Sequence, residues 1–310
     1  MTTRRADPLA FRANNFTINP FHNSEMLVDN NLEQHAAKIE RAIRDAKALM
    51  SKKVKGVPFN EFDVRGHLYD LAHKVAPNAR HDEIDTIRAW VSPQQGERSM
   101  DVAAGSGFLT KFLYEWTSVP AIAVDPSHSQ LVALRRNAPH STILHGYPDD
   151  PRTFVKFADG CIDFATSLGG IHHVVNQREM FANVARVLRK GGRFVFADVC
   201  AGTTLARHFD EVVTRKCLTG HTAQWLSEHR VLELTNGLPL AVTRMQIEDI
   251  YMKFASETEM YLFYKGLHAY DHPMDEVLDD LNNVLGRADR DGKVWVRWPL
   301  LFASLEKTTA

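Results

Sequence analysis

Between Ser99 and Val199 five short apolar runs, MDVAA, PAIAVD, STILHG, IDFATS and GRFVFADV, recur at intervals filled by helix-length segments such as TKFLYEW, HSQLVALRRN and EMFANVARVLRK. A strand that re-enters its sheet through a helix runs parallel to its predecessor, and the crossover is right-handed. The alternation predicts an α/β protein with a doubly wound, mostly parallel sheet and helices on both faces. Ligands of such sheets bind outside the carboxyl ends of the strands, so the segments after each run are where chemistry is expected.

The flanks read differently. In NLEQHAAKIERAIRDAKALMSKKVKG the apolar positions Leu32, Ala36, Ile39, Ile43 and Leu49 fall near helical spacing, which predicts an amphipathic helix ending near Gly56, with Pro58 beyond it. A further helix is expected over His81–Trp90. Residues 1–60 are read as an N-terminal helical cap and lid, and 61–310 as the main domain. Within the latter, 200–290 form a C-terminal helical insertion that contributes an acceptor site. Its aromatics Phe254, Tyr261, Phe263 and Tyr264 are read as core, and KVWVRWPLLFASLEK, interrupted by Pro299, as a strand or hairpin at the sheet edge.

A chain of 310 residues with 44% hydrophobic side chains can bury a large core. Its 37 basic residues are balanced by 38 acidic ones, which argues against a nucleic-acid partner, since phosphates demand a basic surface. Cys161, Cys200 and Cys217 form no CxxC pair, as expected of packing cysteines in a reducing compartment. No window approaches the ~18 apolar residues of a membrane span. A cytoplasmic protein without membrane partners is expected. The cysteines supply no thiolate ligand set, and no metal site is expected.

The first run leads into SMDVAAGSGFLTKF. Asp101 ends the strand, and Gly105 and Gly107 occupy the turn into the next helix, where missing Cβ atoms let a ligand approach the backbone. The spacing differs from the dinucleotide fingerprint G-x-G-x-x-G. Asp125 ends the second run 24 residues after Asp101, where a carboxylate can accept two ribose hydroxyls.

DVAAGSG, AVDPS, FADGCIDFATSLGGIHHV and VARVLRKGGRFVFADV, in this order, resemble a class I S-adenosylmethionine-dependent methyltransferase over roughly residues 65–200. The resemblance implies a Rossmann-like fold with S-adenosyl-L-methionine as cofactor. Gly105, Gly107, Phe108 and Ala103 would cradle its methionyl-ribosyl part, Asp101 its amino group, and Asp125 with Pro126 its ribose. Ser167 and Leu168 would pass the sulfonium region, and the adenine contact falls among Tyr147, Pro148, Asp149 and Asp150. Ala103 stands where many members have glycine, with little loss expected. Lys190–Gly192 is a structural turn.

The activity so implied is methyl transfer to a small-molecule acceptor by in-line displacement, in which alignment does most of the work. His172 and His173 follow the fourth strand as acid/base candidates, and Tyr69 is an aromatic expected over the cofactor. Nothing in SLGGIHHVV supplies a carboxylate to orient an imidazole, so positioning is the expected role of His172. Asp198, Arg207, His208, Trp225, Arg244 and Tyr251 are candidates for the acceptor pocket, either arginine suiting a substrate carboxylate. A second resemblance, of architecture alone, is to bacterial methionine S-methyltransferases, which implies the methionine thioether as acceptor. O- or N-methylation of a secondary metabolite, and cyclisation or cleavage of the cofactor's aminobutyryl chain, are the alternatives. A homodimer is compatible with all of them.

Overall fold

The computed structural model describes residues 21–52 and 60–309. Three helices, α1 (Phe21–Ser51), α2 (Glu61–Val75) and α3 (His81–Val91), precede β1 (Ser99–Val102). The alternating region follows as α4 (Thr110–Thr117), β2 (Ile122–Asp125), α5 (His128–Asn137), β3 (Thr142–His145), β4 (Ile162–Leu168), α6 (Gln177–Val187) and β5 (Leu188–Asp198). The remainder comprises α7 (Thr204–His208), α8 (Thr214–Lys216), α9 (Glu228–Thr235), β6 (Leu240–Phe254), α10 (Glu257–Leu267), α11 (Met274–Val284), β7 (Arg287–Arg290) and β8 (Lys293–Lys307).

The strand order is β3-β2-β1-β4-β5-β8-β6, with β7 paired to β8. β1 to β5 are parallel, and β8 runs antiparallel to both β5 and β6. All four residues of β1 and of β2 are buried, as strands covered by helices on both faces require. The order reverses between β1 and β4, which opens a crevice at their carboxyl ends. Among the described residues no helix is long and apolar enough to cross a membrane.

The carboxy-terminal third corrects two expectations. β6 is a 15-residue edge strand inside the segment read as helical. Its inward residues Ile250, Met252 and Phe254 alternate with less buried ones, a period of two that the interspersed charges of TRMQIEDIYMK obscure. β8 lies inside the sheet, not at its edge. Pro299 is tolerated because β5 pairs with β8 only as far as Asp198↔Leu301, so at Pro299 the ladder is made to β6 alone.

α1 buries Ile39, Ile43 and Ala46 against α2 and α10, whereas Leu49 is exposed. The helix ends at Ser51, and the stop expected near Gly56 and Pro58 lies outside the described residues. α2 and α10 approach so closely that a Cβ on Gly266 would stand 2.9 Å from the Leu68 carbonyl oxygen and 3.0 Å from Ala72 Cβ. Gly266→Ala is expected to force the helices apart and lower stability by about 1–3 kcal/mol, as overpacking does. Thermal denaturation measures it, and an unchanged Tm would show that α2 yields freely.

Candidate active site

β1 opens into a loop with three residues in the left-handed region, Ala103 (φ 56), Gly105 (φ 55) and Gly107 (φ 83). No atom beyond the immediate chain neighbours lies within 3.8 Å of a Cβ built on Gly105, so the backbone there is open to a ligand. Ala103 adopts this conformation with a side chain, and its Cβ occupies space that Gly170 leaves free, 2.6 Å from a Cβ built there. Asp125, at the tip of β2, accepts the Gly105 N–H on Oδ2 at 2.9 Å and the Ser127 N–H on Oδ1 at 2.8 Å. Both oxygens keep further lone pairs for a ligand's hydroxyls. Burial pushes its pKa up to about 6.

Asp101 is 1% exposed and accepts from the hydroxyls of Thr110 at 2.6 Å and Thr166 at 3.4 Å. Burial outweighs these bonds and raises its pKa to about 7. An acid whose folded pKa lies above its unfolded one contributes stability that is fully present below about 3.9 and lost as pH rises through the folded value. Between about pH 5 and pH 8 the Tm of unliganded wild type should therefore fall relative to that of Asp101→Asn. The difference between the proteins isolates Asp101, because buried histidines such as His73, held down to about 3 by burial, lose stability in the opposite direction as pH falls. Parallel Tm curves would show that Asp101 is ionised throughout.

Beyond β4 the chain turns at Gly169 and forms a short 3₁₀ turn, Ile171–His173. Asp198, at the end of the adjacent β5, is fully buried, and its carboxylate accepts the backbone N–H groups of Ile171 (2.8 Å), His172 (3.3 Å) and Val199 (2.7 Å). The same carboxylate takes His172 Nδ1 at 2.5 Å. That bond assigns the proton to Nδ1 and leaves Nε2 as the acceptor nitrogen. His173 Nδ1 lies 3.2 Å from the Thr222 carbonyl. His221, on the loop after α8, stacks on Trp225 with ring centroids 5.6 Å apart. Burial and then the neighbouring His172 pull His221 down to about 2 and His173 well below the ordinary imidazole range.

These histidines line a cavity at the carboxyl end of the sheet, walled by Phe62, Phe209 and Trp298, with Arg65 and Tyr69 contributed by α2. Arg80 Nη1 donates to the Tyr69 hydroxyl at 2.9 Å, and Tyr69 also lies beside Gly105, between the glycine loop and the cavity. Two acidic groups beside an open glycine loop could hold a nucleoside, and the aromatic-walled cavity next door could hold an acceptor.

Residues 100–196 match the family described as Methyltransferase domain. Over this stretch the chain is a methyltransferase domain. It is 31% identical over 132 residues to the ubiquinone/menaquinone biosynthesis C-methyltransferase UbiE of Dinoroseobacter shibae, covering 41% of this chain and 52% of that protein. It is 34% identical over 104 residues to an uncharacterized methyltransferase of Mycobacterium bovis, covering 34% and 40%. The chain thus spans about half the length, or less, of these curated relatives. Among solved structures, the YcgJ protein of Bacillus subtilis shares the fold with a TM-score of 0.55 at 14% identity, covering 74% of this chain and all of that one. Geranyl diphosphate C-methyltransferase of Streptomyces coelicolor shares it with a TM-score of 0.52 at 12% identity, covering 82% and 86%.

Several candidate residues fall elsewhere than the sequence reading put them. Arg244 stacks over Trp90 at 3.8 Å and pairs with Glu248 at 3.3 Å, and Tyr251 packs on Trp295. Both belong to β6, at the far edge of the methyltransferase sheet from the crevice. Arg207 is exposed, and His208 is buried beneath the cavity floor against Tyr270. Trp225 does reach the histidines. Among the adenine candidates, Asp149 accepts the Asn176 N–H, Asp150 binds Arg152, and the Pro148 carbonyl accepts from Asn183, which leaves the side chain of Tyr147 exposed. No described residue of 21–60 lines the cavity; α2 forms that wall and α1 braces it from behind. The expectation that His172 lacks a carboxylate is overturned by Asp198, which stands 26 residues further along the chain. The pairing His172–Asp198 and the arrival of His221 had no local signal, because both depend on which loops the sheet order brings together.

Proposed function

We propose that this protein transfers the methyl group of S-adenosylmethionine to a small phenol- or enol-like acceptor, at its oxygen or at the carbon conjugated with it. The Gly105–Gly107 loop and Asp125 hold the ribosyl part of the cofactor, and Asp101 lies toward its amino group. Ser167, Leu168 and Tyr69 flank the path from sulfonium to cavity. In the transfer the methyl carbon–sulfur bond breaks, its electron pair stays on sulfur, and a bond forms from methyl carbon to acceptor. The cofactor leaves as neutral-sulfur S-adenosylhomocysteine. The acceptor's hydroxyl proton passes to His172, which Asp198 holds with Nε2 available.

The observation that carries this reading is the Asp198-held imidazole beside an aromatic-walled cavity. A thioether has no proton to lose, so methionine would make no use of it. Of the arginines read as carboxylate anchors, Arg207 faces solvent and Arg244 sits at the sheet edge, and the cavity's own Arg65 and Arg80 are already paired with Glu61 and Glu83. Relatives named for C-methylation in quinone biosynthesis agree with a ring activated by a deprotonated oxygen. The test is S-adenosylhomocysteine release with a panel of phenols, hydroquinones and enols set against L-methionine. Turnover confined to L-methionine would overturn the acceptor class, and release of methylthioadenosine would overturn methyl transfer itself.

A further inference from the structure

We propose that His172, His173 and His221 form a binding site for a divalent first-row transition ion, zinc or iron(II), inside the acceptor cavity. One ring nitrogen of each lies within 4.8 Å of those of the other two. Tetrahedral ligation at ~2.1 Å brings such nitrogens to ~3.4 Å, so the rings need to converge by about an ångström. His221 sits directly after Gly220, whose φ of 72 marks a turn. His173 and His221 are the less buried members of the trio.

The surroundings are those of a ligand set. Metal-bound imidazoles give their other nitrogen to a carboxylate or carbonyl, which fixes the ring and raises its basicity. Here Asp198 takes His172 Nδ1 and the Thr222 carbonyl faces His173 Nδ1. His221 Nε2 is buried with no hydrogen-bond partner among the described residues. Phe62, Phe209, Trp225 and Trp298 place an apolar shell around this polar centre. Buried Arg65 opposes a cation there, but Glu61 lies 3.4 Å from its guanidinium. Three imidazoles suit zinc or iron(II) and not magnesium or calcium, which take oxygen ligands. Three protein ligands also leave a coordination position open.

Binding of the ion depends on these side chains alone. Its role rests on the methyl-transfer reading: positive charge at the cluster, whether a proton or a metal ion, stabilises the acceptor's oxygen as an anion. With the ion present, the acceptor sheds its proton to solvent on becoming a ligand.

The experiment titrates chelator-stripped full-length protein with Co²⁺, following visible ligand-field absorption and metal retained after gel filtration. Calorimetry with S-adenosylhomocysteine runs in parallel as the measure of an intact fold and cofactor site. The expected result is saturable binding of a single Co²⁺ that Zn²⁺ displaces and Mg²⁺ does not. Asp198→Asn should weaken it by about 10–100-fold. His221→Ala should abolish it, and His221→Cys should restore it with a new sulfur-to-cobalt charge-transfer band. Absence of saturable Co²⁺ binding in wild type overturns the site, as does unchanged binding in His173→Ala and His221→Ala, or displacement by Mg²⁺. Co²⁺ binding without S-adenosylhomocysteine binding would overturn the methyl-transfer reading and leave the metal site standing.

Discussion

Replacing Asp198 by asparagine lowers the single-turnover rate by about 10²–10⁴-fold, the range that a positioned acid–base group contributes, while S-adenosylhomocysteine binds as tightly as to wild type. The carboxylate has four donors converging on it, three backbone N–H groups and His172 Nδ1. Each oxygen takes two of them, so an asparagine must turn its own NH₂ toward one pair. If that pair is the Val199 N–H and His172 Nδ1, the imidazole has to present an acceptor at Nδ1 and carry its proton at Nε2, which is the wrong tautomer for receiving a proton or holding a cation. Because Asp198 is fully buried, no solvent repairs the mismatch. Single-turnover rates with cofactor saturating, beside calorimetry of S-adenosylhomocysteine, separate the two effects. A rate within a few-fold of wild type would remove the Asp198–His172 pair from the chemistry and return acceptors without a labile proton to favour.

Asp125→Ala should weaken S-adenosylmethionine and S-adenosylhomocysteine alike by about 10–150-fold, the equivalent of the roughly 1.5–3 kcal/mol lost with a charged hydrogen-bond partner. The residue receives the Gly105 and Ser127 N–H groups as well as the ligand, so its removal also loosens the glycine loop. The pH dependence carries an independent sign. Burial holds the pKa of unliganded Asp125 at about 6, and ribose hydroxyls favour the ionised acceptor. Affinity should rise with pH through about 6 and then level off, and this limb should vanish in Asp125→Asn. A folded Asp125→Ala protein that binds both ligands normally would displace the ribose contact to another residue.

Much of this architecture is readable from residues 99 to 199 because β1, β2 and β4 are short, almost wholly buried and followed by helical turns, whereas β3, with both ends exposed, adds little to the signal. Burial on both faces makes strand residues uniformly apolar, and the runs stand out. β6 fails that test for a physical reason: one face of an edge strand meets water, so arginine, glutamate, aspartate and lysine interrupt it. The glycine loop and its two aspartates are contiguous or lie one βα unit apart, within reach of spacing arguments. The acceptor side is not. Asp198 meets His172 because β5 lies beside β4, and His221 arrives through a loop whose path depends on packing of the insertion. Arg244 and Tyr251 were assigned to the cavity on residue type, and type carries no address.

The contact between Ala103 and Gly170 has an evolutionary consequence. A side chain at 103 bears the cost of a left-handed backbone, on the order of 1–2 kcal/mol, and occupies the room beside Gly170. Gly170 itself has φ −128, a conformation open to any residue, so only its neighbour keeps it bare. The two positions are therefore exchangeable as a pair and not singly. Gly170→Ala alone collides with Ala103, whereas Ala103→Gly relieves the backbone and vacates the space that Gly170→Ala then fills. Even with glycine at 103, a Cβ at 170 stands 3.2 Å from the residue-103 carbonyl oxygen, so the exchange admits a small side chain there and alanine at 103 requires glycine at 170. Ancestral states passing between the two must lose the side chain at 103 before gaining one at 170.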